Sequence, residues 1–240
     1  MAVRTSALVR LPDALGFEDG AMVACCAGTA YSALARLNVS GRDTVVVTGQ
    51  GPVGLSAVTL ARAMGARVIA VDLIDERLTL AERNGADHLV NASLEDVAAV
   101  VEELTVGVGA HAVLECSGTT SGRTDAVRVA ATRGRICFVG NGPPTTMDIG
   151  EYLIGKELSC YGSWTFTTSQ LSEAADFVVR SNTRLSDLVT HRFDLADAQA
   201  AFAEFDRGNT GKCLFVESAP TQTPAERAGR RGIAEPVATL

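Results

Sequence analysis

Gly49-Gln50-Gly51-Pro52-Val53-Gly54 is the stretch on which the reading of this chain turns. It fits G-x-G-x-x-G, and its surroundings matter more than the match. Val45-Val46-Val47 runs into it, and a helical apolar pattern leaves it through Leu55, Val58, Leu60 and Ala63. The next apolar run, Arg67-Val68-Ile69-Ala70-Val71, ends at Asp72. Strand, glycine turn, helix, strand and acid, in that order, form the fingerprint of a dinucleotide site. Gly49 permits the tight turn out of the strand, Gly51 lets backbone approach a pyrophosphate, and Gly54 lets the helix pack closely on the sheet. The helix opening at Val53 presents free N–H groups and a partial positive charge to that pyrophosphate. Pro52 has no donor to lose at a helix start, and its fixed φ preorganises the first turn.

Asp72 can accept hydrogen bonds from ribose hydroxyls and repel a 2′-phosphate, which favours NAD over NADP. The alternative is a plain βα turn in which Asp72 only caps the next helix. Arg77 suits the ribose or adenine side of a nucleotide and equally a solvated helix position. Being so close, it could also receive a 2′-phosphate.

The rest of the chain fits the same architecture. Strand signals at 44–48, 67–71, 87–91, 111–115 and 134–139 alternate with helical ones at 53–64, 75–84, 94–105 and 121–132. Continuous apolar strands separated by helices predict a doubly wound α/β fold, a parallel Rossmann sheet covered on both faces. Leu158-Ser159-Cys160-Tyr161-Gly162 reads as the last strand, followed by a helix over 169–181. Before the glycine turn, 1–19 reads as a short strand and a turn, and 20–38 as an Ala-rich helix. Residues 190–217 read as strand, helix and strand, and 218–240 as a disordered tail without periodicity.

Composition sets limits. With 240 residues, 47% hydrophobic and 5% aromatic, the chain can bury a sizeable core made mostly of Val, Ala and Leu. A net charge of −7 argues against nucleic acid as the main partner, since phosphate binding needs a basic face. There is no apolar run long enough for a membrane span and no signal-peptide core, which points to the cytoplasm. Cys25, Cys26, Cys116, Cys137, Cys160 and Cys213 form no C-x-x-C pair, and buried free thiols are expected.

Several motifs together resemble the medium-chain, zinc-type alcohol and polyol dehydrogenases. They are Leu11-Pro12-Asp13, Gly28-Thr29-Ala30-Tyr31-Ser32-Ala33-Leu34, the glycine turn with Leu55, Gly85-Ala86-Asp87-His88 and Glu115-Cys116-Ser117-Gly118. Gly162-Ser163-Trp164 and Gly208-Asn209-Thr210-Gly211-Lys212 extend the likeness over about residues 8–217. The resemblance implies an NAD-dependent oxidoreductase acting on an alcohol or ketone, with 39–189 as the cofactor domain. Residues 1–38 then correspond to a remnant and linking helix of a catalytic domain, and 190–217 to a return segment to it. It further implies that Thr29 approaches the nicotinamide, that Val139 and Gly140 meet its ring and carboxamide, and that Ser163 and Trp164 close the pocket. Lys212 resembles a residue that reaches the pyrophosphate, although a solvated charge at a strand start explains it too. The strand over 157–163 matches an edge that pairs across a homodimer axis.

The resemblance also shows what is missing. The Gly-His-Glu motif, the first zinc-ligand Cys, the proton-relay hydroxyl and the four-Cys loop have no counterpart, so the chain reads as truncated, without the zinc half. Catalytic zinc needs three protein ligands. The histidines are His88, His111 and His191, none with metal-ligand spacing. Cys25 falls where the family often places a zinc ligand, and a small buried thiol explains it as well. No metal site is expected, and no catalytic residue can be named. The alternative function is a catalytically silent NAD-binding module that needs a partner chain. A zinc-independent reductase using Tyr31, Ser32 or Tyr161 finds no Tyr-x-x-x-Lys pair in support.

Overall fold

The apolar run before the glycine turn becomes β1 (Thr44–Thr48), and every residue of it is buried. Val45 and Val47 enter one core and Val46 another, because successive side chains of a strand leave opposite faces. A strand buried on both faces belongs in the middle of a sheet. In the computed structural model, which describes residues 4–217, β1 pairs in parallel with β2 (Arg67–Asp72) on one side and β4 (Ala110–Glu115) on the other. Outside them lie β3 (His88–Asn91), β5 (Ala130–Phe138) and the edge strand β6 (Ser159–Gly162). The order β3-β2-β1-β4-β5-β6 is parallel throughout, the doubly wound arrangement that the strand pattern predicts.

Helices cover both faces. α3 (Pro52–Ala63) and α4 (Asp75–Arg83) place Leu55, Val58, Leu60, Leu78 and Ala81 in the first core. α2 (Gly28–Arg36) and α7 (Thr168–Arg180) join them through Ala30, Leu34, Ala174 and Val178. α5 (Val97–Leu104) and α6 (Thr120–Val129) supply Val97, Val101, Ala126 and Val127 to the second core. Burying such side chains at about 25 cal/mol per Å² holds the layers together.

Local chemistry corrects several expected boundaries. The helix predicted from 94 starts at Val97, because Asp96 caps it by accepting from the N–H groups of Ala98 and Ala99. The helix predicted to 132 stops at Val129, where the chain enters β5 through a register shift, with Arg133 at φ +62°. No strand forms among the described residues of 1–19. Thr5–Ala7 is a short 3-10 turn, and α1 (Phe17–Met22) continues through a π-helical Val23–Ala27 into α2.

The 190–217 segment forms a small parallel pair, β7 (Val189–Phe193) and β8 (Lys212–Phe215), with α8 (Ala198–Asp206) between them. It is tied to α1 by Glu18, which accepts from Arg192 Nε and Nη2, both at 2.6 Å. Asp19 of the same helix accepts from the Ser186 N–H at 2.8 Å. On α8, Ala201 is buried, whereas Phe202 is 68% exposed. The tail predicted at 218–240 lies outside the described residues. All six cysteines are free, as expected, but burial is uneven: Cys26 and Cys137 are buried, while Cys25 and Cys160 are exposed. No helix among the described residues is long and apolar enough to cross a membrane.

Candidate functional site

β1 and β4 are neighbours, yet the chain leaves them toward opposite edges of the sheet. Their C-terminal ends therefore open a crevice at the switch point, where doubly wound folds take ligands. A cleft of about 210 Å³ occupies this place, lined by Gly49, Gly51, Asp72, Arg77, Ser117 and Thr119 among others.

Two of the glycines are held by close backbone contact. Gly49 sits at φ +82°, and a Cβ on it would lie 2.7 Å from Ser117 Cα. A Cβ on Gly54 would lie 1.8 Å from the Gly49 carbonyl oxygen, so helix and turn touch backbone to backbone. Gly51 is different. It precedes α3 at φ −75° and ψ −174°, and a Cβ on it would meet nothing within 4 Å. Open space stands in front of the helix start, where the first N–H groups have no intrahelical acceptor. Pro52 opens the helix one residue earlier than predicted, with Val53 following it.

Asp72 is nearly buried and already engaged. It accepts from Gln50 N at 2.5 Å, Leu73 N at 2.7 Å and Ile74 N at 3.1 Å. It thus ties the glycine turn to the turn ahead of α4. A carboxylate offers about four acceptor positions, so about one stays open for a ligand. Arg77 Nη1 stands 3.8 Å away, with its side chain 27% exposed. Arg77 is therefore no solvated helix residue, and its buried Nε has no partner. Asp72 and Arg77 both line the cleft.

The other predicted residues lie outside the cleft lining. Thr29 donates its hydroxyl to the Cys25 carbonyl at 2.9 Å. Val139 and Gly140 follow β5, both donating their N–H groups to the Glu115 carbonyl. Ser163, just past β6, donates to the Phe138 carbonyl at 3.0 Å, and Trp164 is 78% exposed. Because the strands are parallel, Val139, Gly140, Ser163 and Trp164 follow strand ends on the same edge of the sheet as the cleft, whereas Thr29 sits in α2. Lys212, opening β8, lines an apolar recess with Phe193, Phe202 and Phe205 instead.

Sequence reasoning missed a set of hydroxyls. Ser117, Thr119 and Ser121 line the cleft and are linked Oγ to Oγ at 3.0 and 3.3 Å. Ser117 donates to the buried Glu115 at 2.5 Å. The run Ser117-Gly118-Thr119-Thr120-Ser121 directly after a central strand was the available signal. Beside it, burial and the Glu115 charge push the Cys116 thiol well up, so it stays protonated.

The nucleotide fits this donor set, but zinc does not. No group of three His, Cys, Asp or Glu side chains that could hold a metal occurs among the described residues. The histidines have other partners: His111 accepts from Thr44 N, His88 pairs with Arg67, and His191 with Thr190.

Comparison with known proteins identifies the family. A family model described as zinc-binding dehydrogenase matches residues 52–180. An uncharacterized zinc-type alcohol dehydrogenase-like protein of Escherichia coli K12 is 38% identical over 210 residues, covering 87% of this chain and 59% of its own length. An alcohol dehydrogenase of Thermotoga maritima superposes with a TM-score of 0.80 at 28% identity, over 88% of this chain and 60% of that one. A short chain alcohol dehydrogenase of Escherichia coli CFT073, solved with NADH, gives 0.77 at 25%, over 86% and 61%. The chain thus spans about 60% of the relatives it matches. Since the model match takes in the helix after the glycine turn and the sheet beyond it, this chain is a member of the zinc-binding dehydrogenase family.

Proposed function

We propose that this chain is the cofactor-binding part of an NAD-dependent oxidoreductase that moves a hydride between nicotinamide and an alcohol or ketone. One observation carries the reading. Gly49 and Gly54 are closed by backbone contact, whereas Gly51 between them faces open space at a helix N-terminus. Packing explains two of the glycines, and a ligand explains the third. Bound NAD supplies the hydride acceptor, and the protein binds and orients it. Gly51, Val53 and Gly54 offer N–H groups to the pyrophosphate. Asp72 offers its remaining acceptor position to ribose, and its charge disfavours a 2′-phosphate. Arg77, which lines the same cleft, offers its guanidinium from the other side. Val139, Gly140, Thr29, Ser163 and Trp164 are assigned to the nicotinamide end.

The protein is proposed to work in the cytoplasm as a homodimer joined through β6, whose exposed Cys160, Tyr161 and Gly162 leave one backbone edge without a strand partner among the described residues. Titrating NADH into the full chain should enhance and blue-shift its fluorescence at sub-millimolar concentration. Absence of any change removes the cofactor reading. Asp72→Ser should weaken NADH and narrow its advantage over NADPH, since about one unit of discriminating charge is gone. Binding without turnover of any alcohol would favour the silent module that depends on a partner chain.

A further inference from the structure

Glu115 closes β4 with no solvent exposure at all, and a buried carboxylate is costly unless it is fully paired. Its Oε1 accepts from Ser117 N at 2.8 Å, Ser117 Oγ at 2.5 Å and Gly118 N at 2.9 Å, fixing the turn that walls the cleft. Its Oε2 has no hydrogen-bond partner. The nearest opposing charge is Arg123 Nε, 4.0 Å away on a side chain only 17% exposed. Arg123 in turn donates to the Gly140 carbonyl at 2.8 Å and to the Pro143 carbonyl. Gly140 is held at both ends, for its N–H donates to the Glu115 carbonyl at 3.0 Å.

The two loops are in backbone contact. A Cβ on Gly140 would lie 2.2 Å from Gly118 N, and one on Gly142 would lie 1.9 Å from the Gly118 oxygen. Gly118 itself sits at φ +69°. Such packing leaves no freedom to absorb a displacement, so whatever holds Gly140 fixes its whole loop. A single charge pair thus spans from the hydroxyl wall of the cleft to the loop beyond β5.

We propose that Glu115 and Arg123 are positioning residues that set the place of the 139–142 backbone and thereby of the nicotinamide end of the cofactor. Neither touches the nucleotide. Arg123 holds the loop by its carbonyls, and the buried charge of Glu115 keeps the guanidinium from turning out to water. The adenosine end, held by Gly51, Asp72 and Arg77, does not depend on the pair. This inference rests on the NAD reading above.

Calorimetric binding of NADH and of AMP to the full chain separates the two ends, because AMP lacks the nicotinamide. Arg123→Met should weaken NADH by about 10-fold, the effect of losing charge-assisted hydrogen bonds, and change AMP by less than about 2-fold. Glu115→Gln keeps the Oε1 acceptor but removes the charge, and should shift NADH in the same direction with AMP unchanged. It is isosteric, so it carries the test if Arg123→Met fails to fold. In both variants the fluorescence of bound NADH should move back toward that of free cofactor. Equal losses for AMP and NADH, or unchanged NADH binding, would overturn the positioning role while leaving the cofactor reading in place. A wild-type chain that binds neither ligand would remove both.

Discussion

Gly51 and Gly54 stand three positions apart and should respond oppositely to the same methyl group. Gly51→Ala adds a Cβ into open space on an extended residue any amino acid can adopt. Folding stability should stay within about 1 kcal/mol, while NADH affinity falls by at least about 10-fold, or about 1.4 kcal/mol, because the pyrophosphate needs that space. Gly54→Ala drives a Cβ to 1.8 Å from the Gly49 carbonyl and should cost about 1–3 kcal/mol of stability as an overpacked contact. Thermal unfolding and NADH titration of both variants check the contrast. If Gly51→Ala binds as wild type, the open glycine has no ligand to serve. The steric needs of Gly49 and Gly54 were legible in the sequence because they follow from backbone sterics alone. The state of Asp72 was not. Its position at the end of β2 was clear, but its three backbone bonds depend on how the glycine turn and the β2–α4 turn meet.

Among the elements, α1 gains its importance from what it touches. Its first-turn acids, Glu18 and Asp19, reach the 185–193 region across the fold. The side-chain hydrogen bond from Arg192, reinforced by its charge, holds the Glu18 carboxyl below its ordinary value of 4.5. The folded-state pKa is depressed, so the contribution of the pair is present above the ordinary value and lost as pH falls through the lowered one. Arg192→Ala should therefore lower Tm slightly at neutral pH, and the gap to wild type should close on acidification. A gap independent of pH would assign the effect to packing alone. Both side chains are about a third or more exposed, so the effect is small and salt-sensitive. No sequence pattern announces this pair, since its partners are 174 positions apart. The βαβ units were legible for the opposite reason: each is written in one contiguous stretch with a period that names its element. Their ends shifted where a single side chain intervened, as Asp96 does ahead of α5.

For the whole molecule, the exposed edge and the exposed aromatics set the behaviour in solution. Among the described residues β6 has one strand edge without a partner, and Phe17, Trp164 and Phe202 are each more than two-thirds exposed. Apolar surface of this kind marks contact sites. Pairing of two copies through β6 should give a dimer by sedimentation, and Cys160→Lys, which places a charge on that edge, should shift it to monomer. A wild-type chain that sediments as monomer removes the edge pairing.

The sequence by itself determined the α/β class, the parallel strands and the glycine turn that opens α3. Those follow from periodicity and from the steric needs of single residues, and both are local. Only the tertiary structure decided which strand ends meet at the switch point, that Gly51 alone among the three glycines faces open space, and that Asp72 is already bonded. It also joined Glu115 to Arg123 and to the loop after β5. Such features arise where distant segments pack against one another, and the geometry of that packing is not written in any one stretch of chain.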